Sequence, residues 1–397
     1  MEEKELPQIP QEPKPLTKTQ KRKKILLLLA GLVGFNLFVW GTFYYSISNS
    51  NKGESLDRSL KREPNAQVTP TPFPFQEMTI PYLRSRTYES SLGSLEQVSS
   101  NASYTSYLTS YESDGFKVNG LLTVPKEGGP GSPKRSEGGW PAIVFVHGYV
   151  PPGSYQTLVN YASYVDYLAS NGFVVFKIDL RGHGNSEGEP GGGYYSADYI
   201  IDTLNAVAAL QGLGGSVKGK ESENLTLNAL PLPLVNPERI GLWGHSMAGN
   251  VVARALAAQP QIPAVVIFAG AVYTYSDFSQ FSIQDNSYQP PPSDAPSRKR
   301  RNEMFEKYGQ FDPNSDFWKQ VPMTNYLTDI KGAISLNHAL DDGVVDIRYS
   351  RNLNSLLNKT SIPHELNEYP SGGHNFTGAA FNSAMQNTVE FFDKYLK

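Results

Sequence analysis

From about residue 104 to the C-terminus, short apolar runs with strand character alternate with longer stretches in which apolar positions recur at helical spacing. Tyr104 to Glu112 and Phe116 to Val124 flank the turn Ser113-Asp114-Gly115 and predict a β-hairpin. Strands are then expected at Ala142–Val146, Val174–Asp179, Arg239–Trp243, Ala264–Phe268, Ala333–Leu336 and Glu365–Tyr369. Helices are expected at about Thr157–Ser170, Ala197–Leu213, Met247–Ala258 and from about Ala380 to Lys397. Strands that alternate with helices imply an α/β fold whose mostly parallel sheet is covered on both faces. No internal repeat is present, which argues against a propeller or solenoid.

The first hundred residues follow another pattern. Ile25 to Tyr45 is a run of 21 positions without a charge, the length of one transmembrane helix. Lys21-Arg22-Lys23-Lys24 precede it, and Trp40, Phe43, Tyr44 and Tyr45 mark its far end, so the expected topology is single-pass with the N-terminus cytoplasmic. Everything after the span is then extracytoplasmic. A cleaved signal peptide is the competing reading, but the apolar run is long for one and no small-x-small cleavage site follows. Residues 1–24 read as a cytoplasmic tail and 46–103 as a Pro/Ser-rich stalk and N-terminal extension. Within that stretch 76–103 is ambiguous, and its Tyr82, Leu83 and Tyr88 suit packing against the domain that begins near Tyr104.

Composition narrows the chemistry. A net charge of −3 gives no sign of nucleic-acid binding, and the basic run Arg298-Lys299-Arg300-Arg301 reads as a solvated helix start. With no cysteine in the chain, disulfides, thiolate catalysis and Cys-type zinc sites are excluded. Histidine ligand pairs at metal-binding spacing are missing too, so no metal or cofactor is expected. Four Asn-x-Ser/Thr sequons, at Asn101, Asn224, Asn358 and Asn375, are read as chance occurrences.

Five of the six histidines lie in motifs at strand ends. The most informative is Gly244-His245-Ser246-Met247-Ala248-Gly249, which follows an apolar run and opens a helix. Ser246 then sits on a sharp turn with its hydroxyl lifted clear of the sheet, and the amide of Met247 points at the same spot. The usual spacing is G-x-S-x-G, so Ala248 makes this a near match. Val146-His147-Gly148-Tyr149 follows the first core strand, where the amide of Tyr149 is the second candidate oxyanion donor. Asp179-Leu180-Arg181-Gly182-His183-Gly184 reads as an architectural turn. Late in the chain come His338-Ala339-Leu340-Asp341-Asp342-Gly343 and Gly372-Gly373-His374-Asn375-Phe376. They offer a carboxylate, Asp341 or Asp342, to orient an imidazole, and His374 as that imidazole. Ser, Asp, His is the chain order of triads on this layout.

With these motifs, residues 110–397 resemble the α/β-hydrolase superfamily, and within it the catalytic domain of prolyl oligopeptidase-family serine peptidases and their bacterial relatives. The family pattern H-G-x-x-D-x-x-V-P, laid on His338 to Asp346, implies Asp342 as the acid; Ala339 and Asp346 depart from it. The resemblance implies an α/β-hydrolase fold and a Ser246, Asp342, His374 triad. Peptide specificity is implied only weakly. About 60 residues between the span and the hairpin cannot build the propeller of those peptidases, since one blade needs about 40. The family's oxyanion-loop tyrosine is also replaced by His147-Gly148.

The expected protein is a membrane-anchored, extracytoplasmic serine hydrolase cleaving ester or amide bonds of a small-molecule ester or peptide substrate, with a prolyl oligopeptidase-like serine-type peptidase as the leading reading, a carboxylesterase or lipase-like hydrolase as the alternative and a non-catalytic binding protein as a remote third. A cap insertion is expected at about residues 272–326, whose aromatic residues suit either an apolar pocket or a packed cap.

Overall fold

The computed structural model describes residues 72–129, 131, 136–214, 230 and 233–397. The expected span at Ile25 to Tyr45 and the cytoplasmic tail lie outside the described residues. Among the described residues no helix is long and apolar enough to cross a membrane.

Residues from Pro72 to Lys397 form one compact unit around a nine-stranded sheet in the order β1-β2-β3-β5-β4-β6-β7-β8-β9. The strands are β1 Glu96–Ser100, β2 Tyr104–Ser113, β3 Phe116–Pro125, β4 Trp140–Val146, β5 Val174–Ile178, β6 Val235–His245, β7 Ala264–Phe268, β8 Ala333–Ala339 and β9 His364–Tyr369. The first three run antiparallel, β3 meets β5 antiparallel, and β5-β4-β6-β7-β8-β9 are parallel. The β2–β3 hairpin closes through Asp114 and Gly115, with φ 51° and 79°, the pair of positive values that a two-residue turn matching strand twist requires.

Alternate residues of each central strand feed the two faces. Ala142, Val144 and Val146 of β4 join one core with Leu242 and Val265, while Ile143 and Phe145 join the other with Trp243 and Phe268. Helices α2 (Ala162–Ser170) and α8 (Gly378–Leu396) cover the second face. The first is covered by α1 (Ile80–Ser85), α3 (Asp198–Gln211), α4 (Met247–Ala258) and α7 (Arg348–Leu357). Between β7 and β8 the chain carries α5 (Asp277–Gln280), α6 (Pro296–Tyr308) and two 3-10 turns.

Three expectations need adjustment. The ambiguous stretch before Tyr104 supplies α1 and β1, and β1 pairs with β2 as the sheet's edge. Met78, Ile80 and Leu83 are fully buried, and the buried Arg254 of α4 donates to the carbonyl of Met78. The helix expected from Thr157 starts at Ala162. Lys177 Nζ donates to the Thr157 carbonyl at 2.5 Å and Tyr155 Oη to Asp179 at 2.6 Å, so buried charged groups on β5 and just after it hold 155–157 out of the helix. In the insertion, Tyr275, Phe317 and Trp318 are buried, Phe305 and Phe311 pack ring to ring with them, and Phe278 and, from outside the insertion, Tyr195 stack on Phe311. Most of that aromatic content packs as the interior of a cap, one of the two readings open from the sequence, while Tyr288 is exposed.

Candidate active site

Ser246 lies between β6 and α4 with φ 55° and ψ −120°. A non-glycine residue there is strained, and the surroundings hold it: its N–H donates to the Phe268 carbonyl at 2.9 Å, and its carbonyl accepts from Gly249 at 2.9 Å. Gly244 must be glycine, because a Cβ there would lie 2.7 Å from the Ala248 carbonyl. The other close approach falls at Gly249, where a Cβ would come within 2.7 Å of the Gly270 Cα. Ala248, where the usual motif has glycine, is fully buried, and the close approach that needs glycine falls one residue later. Met247 opens α4, so its amide is one of the first-turn N–H groups without an intrahelical partner.

At the end of β8, Asp342 is brought to His374: Nδ1 and Oδ2 are 2.9 Å apart, and the carboxylate side chain is 1% exposed. Its Oδ1 accepts from the amides of Val344 and Val345 at 2.8 and 2.9 Å. A second imidazole, His338, stands 3.2 Å from Oδ2. His338 is buried, with Nε2 also 3.0 Å from the Val345 carbonyl and Nδ1 2.8 Å from the Ser350 hydroxyl. Two acceptors face Nε2, so that nitrogen carries the proton. Burial opposes ionisation of Asp342, yet hydrogen bonds from His338 and His374 outweigh it and hold the carboxyl well below the usual range. Asp341 is exposed and instead accepts from the Gly373 amide at 2.8 Å. Sequence reasoning contained His338 within a motif but gave it no role.

Three further residues join the loops. Gly148 N–H donates to Tyr161 Oη at 3.0 Å, Tyr161 Oη meets His245 Nδ1 at 2.7 Å, and His245 Nε2 meets the His374 carbonyl at 2.8 Å. The carbonyl can only accept, so His245 Nε2 carries its proton and Nδ1 accepts from Tyr161. Burial pushes His245 down to about 3, and it stays neutral. This chain passes from the loop after β4, through the residue preceding Ser246, to the backbone of His374. No hydrogen bond joins Ser246 and His374 themselves among the described residues, a contact that unliganded sites often complete only with substrate. Neither Tyr161 nor His245 is identifiable from local sequence, because their partners lie 84 and 129 positions away.

His147 is buried and neutral: desolvation lowers its pKa, Leu180 N–H donates to Nε2 at 3.3 Å, and Nδ1 faces the Gly148 carbonyl at 2.7 Å. That fixes the turn in which Tyr149 follows Gly148. Since the amide of Gly148 is engaged by Tyr161, the amide of Tyr149 is the next one along the loop. His183 packs against His147 with ring centroids 4.9 Å apart, and Arg181 forms a buried pair with Asp202 at 2.6 Å. Among the described residues no group of three His, Cys, Asp or Glu could hold a metal ion.

The sequence profile of the alpha/beta hydrolase family matches residues 143–356, more than half of the 397-residue chain. The chain belongs to the alpha/beta hydrolase family. The matched region contains Ser246 and Asp342 and ends before His374. Among solved structures, this alpha/beta hydrolase is similar to a Mycobacterium tuberculosis puromycin-hydrolyzing peptidase, with 17% identity and a TM-score of 0.53, covering 75% of this chain and 40% of that one. An acylaminoacyl peptidase solved with Z-Gly-Gly-Phe-chloromethyl ketone gives 20% identity and a TM-score of 0.52, covering 74% and 42%. The chain thus spans about two fifths of the length of these two peptidases. An acetyl xylan esterase from Thermoanaerobacterium sp. is covered over 95% of its length, with 19% identity and a TM-score of 0.48.

Proposed function

We propose that this alpha/beta hydrolase is a serine hydrolase that cleaves ester or amide bonds through an acyl-enzyme. The observation that carries the reading is a strained serine at a strand-to-helix turn whose neighbour, His245, is bonded to the backbone of a histidine paired with a buried carboxylate. In this reading His374 takes the proton of Ser246, whose Oγ adds to the substrate carbonyl. Asp342 holds the imidazole with Nδ1–H toward itself and stabilises the imidazolium. The amides of Met247 and Tyr149 receive the oxyanion. His374 returns the proton to the leaving group, and water then releases the acyl group by the same steps in reverse.

The substrate is proposed to be small, with short peptides as the leading class. Similarity of fold to peptidases supports that choice only at the level of architecture, and carboxyl esters are the alternative. Anchoring through residues 25–45, with this domain on the extracytoplasmic side, is part of the proposal and rests on the sequence alone.

A fluorophosphonate probe should label Ser246, and Ser246→Ala should lose both labelling and on the order of 10⁴-fold or more in kcat. Hydrolysis by Ser246→Ala at near wild-type rate would sink the assignment. Comparing p-nitrophenyl esters with alanyl and prolyl p-nitroanilides then separates esterase from peptidase.

A further inference from the structure

Ser350 stands in the first turn of α7, 1% exposed, with its Oγ 2.8 Å from His338 Nδ1. The other nitrogen of that ring faces two acceptors, Asp342 Oδ2 at 3.2 Å and the Val345 carbonyl at 3.0 Å. Val345 in turn gives its amide to Asp342 Oδ1 at 2.9 Å, beside the Val344 amide at 2.8 Å. One Nε2–H therefore closes a ring. It holds one carboxylate oxygen directly and, through the Val345 peptide, the donor to the other. His374 Nδ1 adds a fourth N–H, 2.9 Å from the same Oδ2.

The ring depends on where His338 carries its proton. With the proton on Nδ1 instead, Nε2 would turn a lone pair toward a carboxylate and a carbonyl. In a neutral imidazole the nitrogen without the proton is an acceptor, and the Ser350 hydroxyl supplies the donor that Nδ1 then needs. The same stretch of α7 occupies the neighbouring carboxylates. Arg348 Nε lies 2.9 Å from Asp346 Oδ2, and Arg351 Nε lies 2.7 Å from Glu368 Oε1 on β9. The remaining titratable groups that face this cluster are His374 and His245, from the loops around Ser246, and Tyr273, from the loop after β7. Asp342 itself pairs with no lysine or arginine among the described residues, so its charge rests on imidazoles and amides.

Resting on the serine-hydrolase reading, we propose that Ser350 is a positioning residue of the triad: its hydroxyl fixes the tautomer of His338, whose single N–H then holds Asp342 against His374. The consequence concerns the proton that His374 takes from Ser246. A carboxylate with four N–H donors is a weak base, so the proton stays on the imidazole for the leaving group instead of passing to Asp342.

The test follows, on the full-length protein, the rate at which a fluorophosphonate labels Ser246 as a function of pH, which needs no natural substrate. Ser350→Ala should slow labelling about tenfold, as loss of an orienting partner does. It should also move the acidic limb of the profile upward, because Asp342 with one donor fewer holds the His374 imidazolium more strongly. In a His338→Phe background Ser350→Ala should change neither reading, since the hydroxyl acts only through that ring. An acidic limb that stays in place or moves downward, or the same loss with and without His338, would overturn the role of Ser350. Wild-type protein that neither takes the label nor hydrolyses p-nitrophenyl esters would instead overturn the serine-hydrolase reading beneath it.

Discussion

At the scale of single residues, the site depends on atoms that hold Ser246 and His374 in place without reacting. Gly148 is the clearest case: a Cβ there would stand 2.7 Å from Tyr161 Oη and 3.0 Å from His245 Nδ1, inside the chain that links the loops. Tyr161→Phe removes the middle of that chain while keeping the ring, and should lower kcat by about 10–100-fold with a smaller change in stability, as loss of an orienting partner typically does. Steady-state kinetics beside a thermal melt would check this. The two aspartates should separate more widely. Asp342→Asn is expected to cost about 10³–10⁴-fold in kcat, because an amide no longer favours the working tautomer or the imidazolium, and Asp341→Asn less than about tenfold. Equal losses would mean that the Asp341 contact with Gly373 matters as much as the Asp342 contact with the imidazole. His338 supplies the other hydrogen bond that keeps Asp342 ionised. His338→Phe should therefore move the acidic limb of the kcat pH profile upward, a shift that loss of packing alone would not produce.

At the scale of elements, α4 is the part against which the others are built. It starts at Ser246, is buried along its length, and receives the N-terminal extension through Arg254 and through Arg84, whose Nε donates to the Ala257 carbonyl at 2.8 Å. Leu83 of α1 is fully buried in the same core. Leu83→Ala should cost about 2–5 kcal/mol, read as a lower midpoint in a denaturant titration, and an unchanged midpoint would show that the extension is only loosely held. The loop after β5 behaves similarly. Asp202→Ala leaves the buried Arg181 with only the more exposed Asp198 at 3.5 Å and should cost about 3 kcal/mol, with the Ser113 hydroxyl losing an acceptor as well.

At the scale of the whole molecule, buried histidines set the response to acid. Desolvation lowers the pKa of His147, His183 and His245 in the folded state, with His245 pushed down to about 3. The unfolded chain takes up a proton at each below about pH 6.5 and the folded chain does not, so stability present above pH 6.5 is lost as pH falls. Each contributes up to about 1.4 kcal/mol per pH unit until its folded pKa is reached. Tm should accordingly drop between pH 6.5 and pH 4, and His147→Gln should flatten that slope. Below that window Asp342 acts with the same sign, since a carboxyl depressed in the folded state loses its contribution when protonated.

Periodicity along the chain was enough for the order of β2 to β9 and of α2, α3, α4 and α8, since burial on one face or two is written in every second or every third and fourth side chain; α7, between β8 and β9, and the cap helices were not read from it. α4 and β7 fall where the apolar pattern places them, and the turn at Ser246 is legible because its crowding admits only small residues at Gly244 and Gly249. The pairing of Asp342 with His374 was within reach of motif spacing as an expectation. The start of α2, the edge strand β1, and the hydrogen bonds of Tyr161, His245 and His338 were decided only by tertiary structure. Each depends on partners far away in the chain: the carboxylate of Asp179, just after β5, overrides helix propensity at Thr157, and Tyr161 meets His245 across 84 positions. Local sequence records what a residue can offer, and only the folded chain brings the group that accepts it.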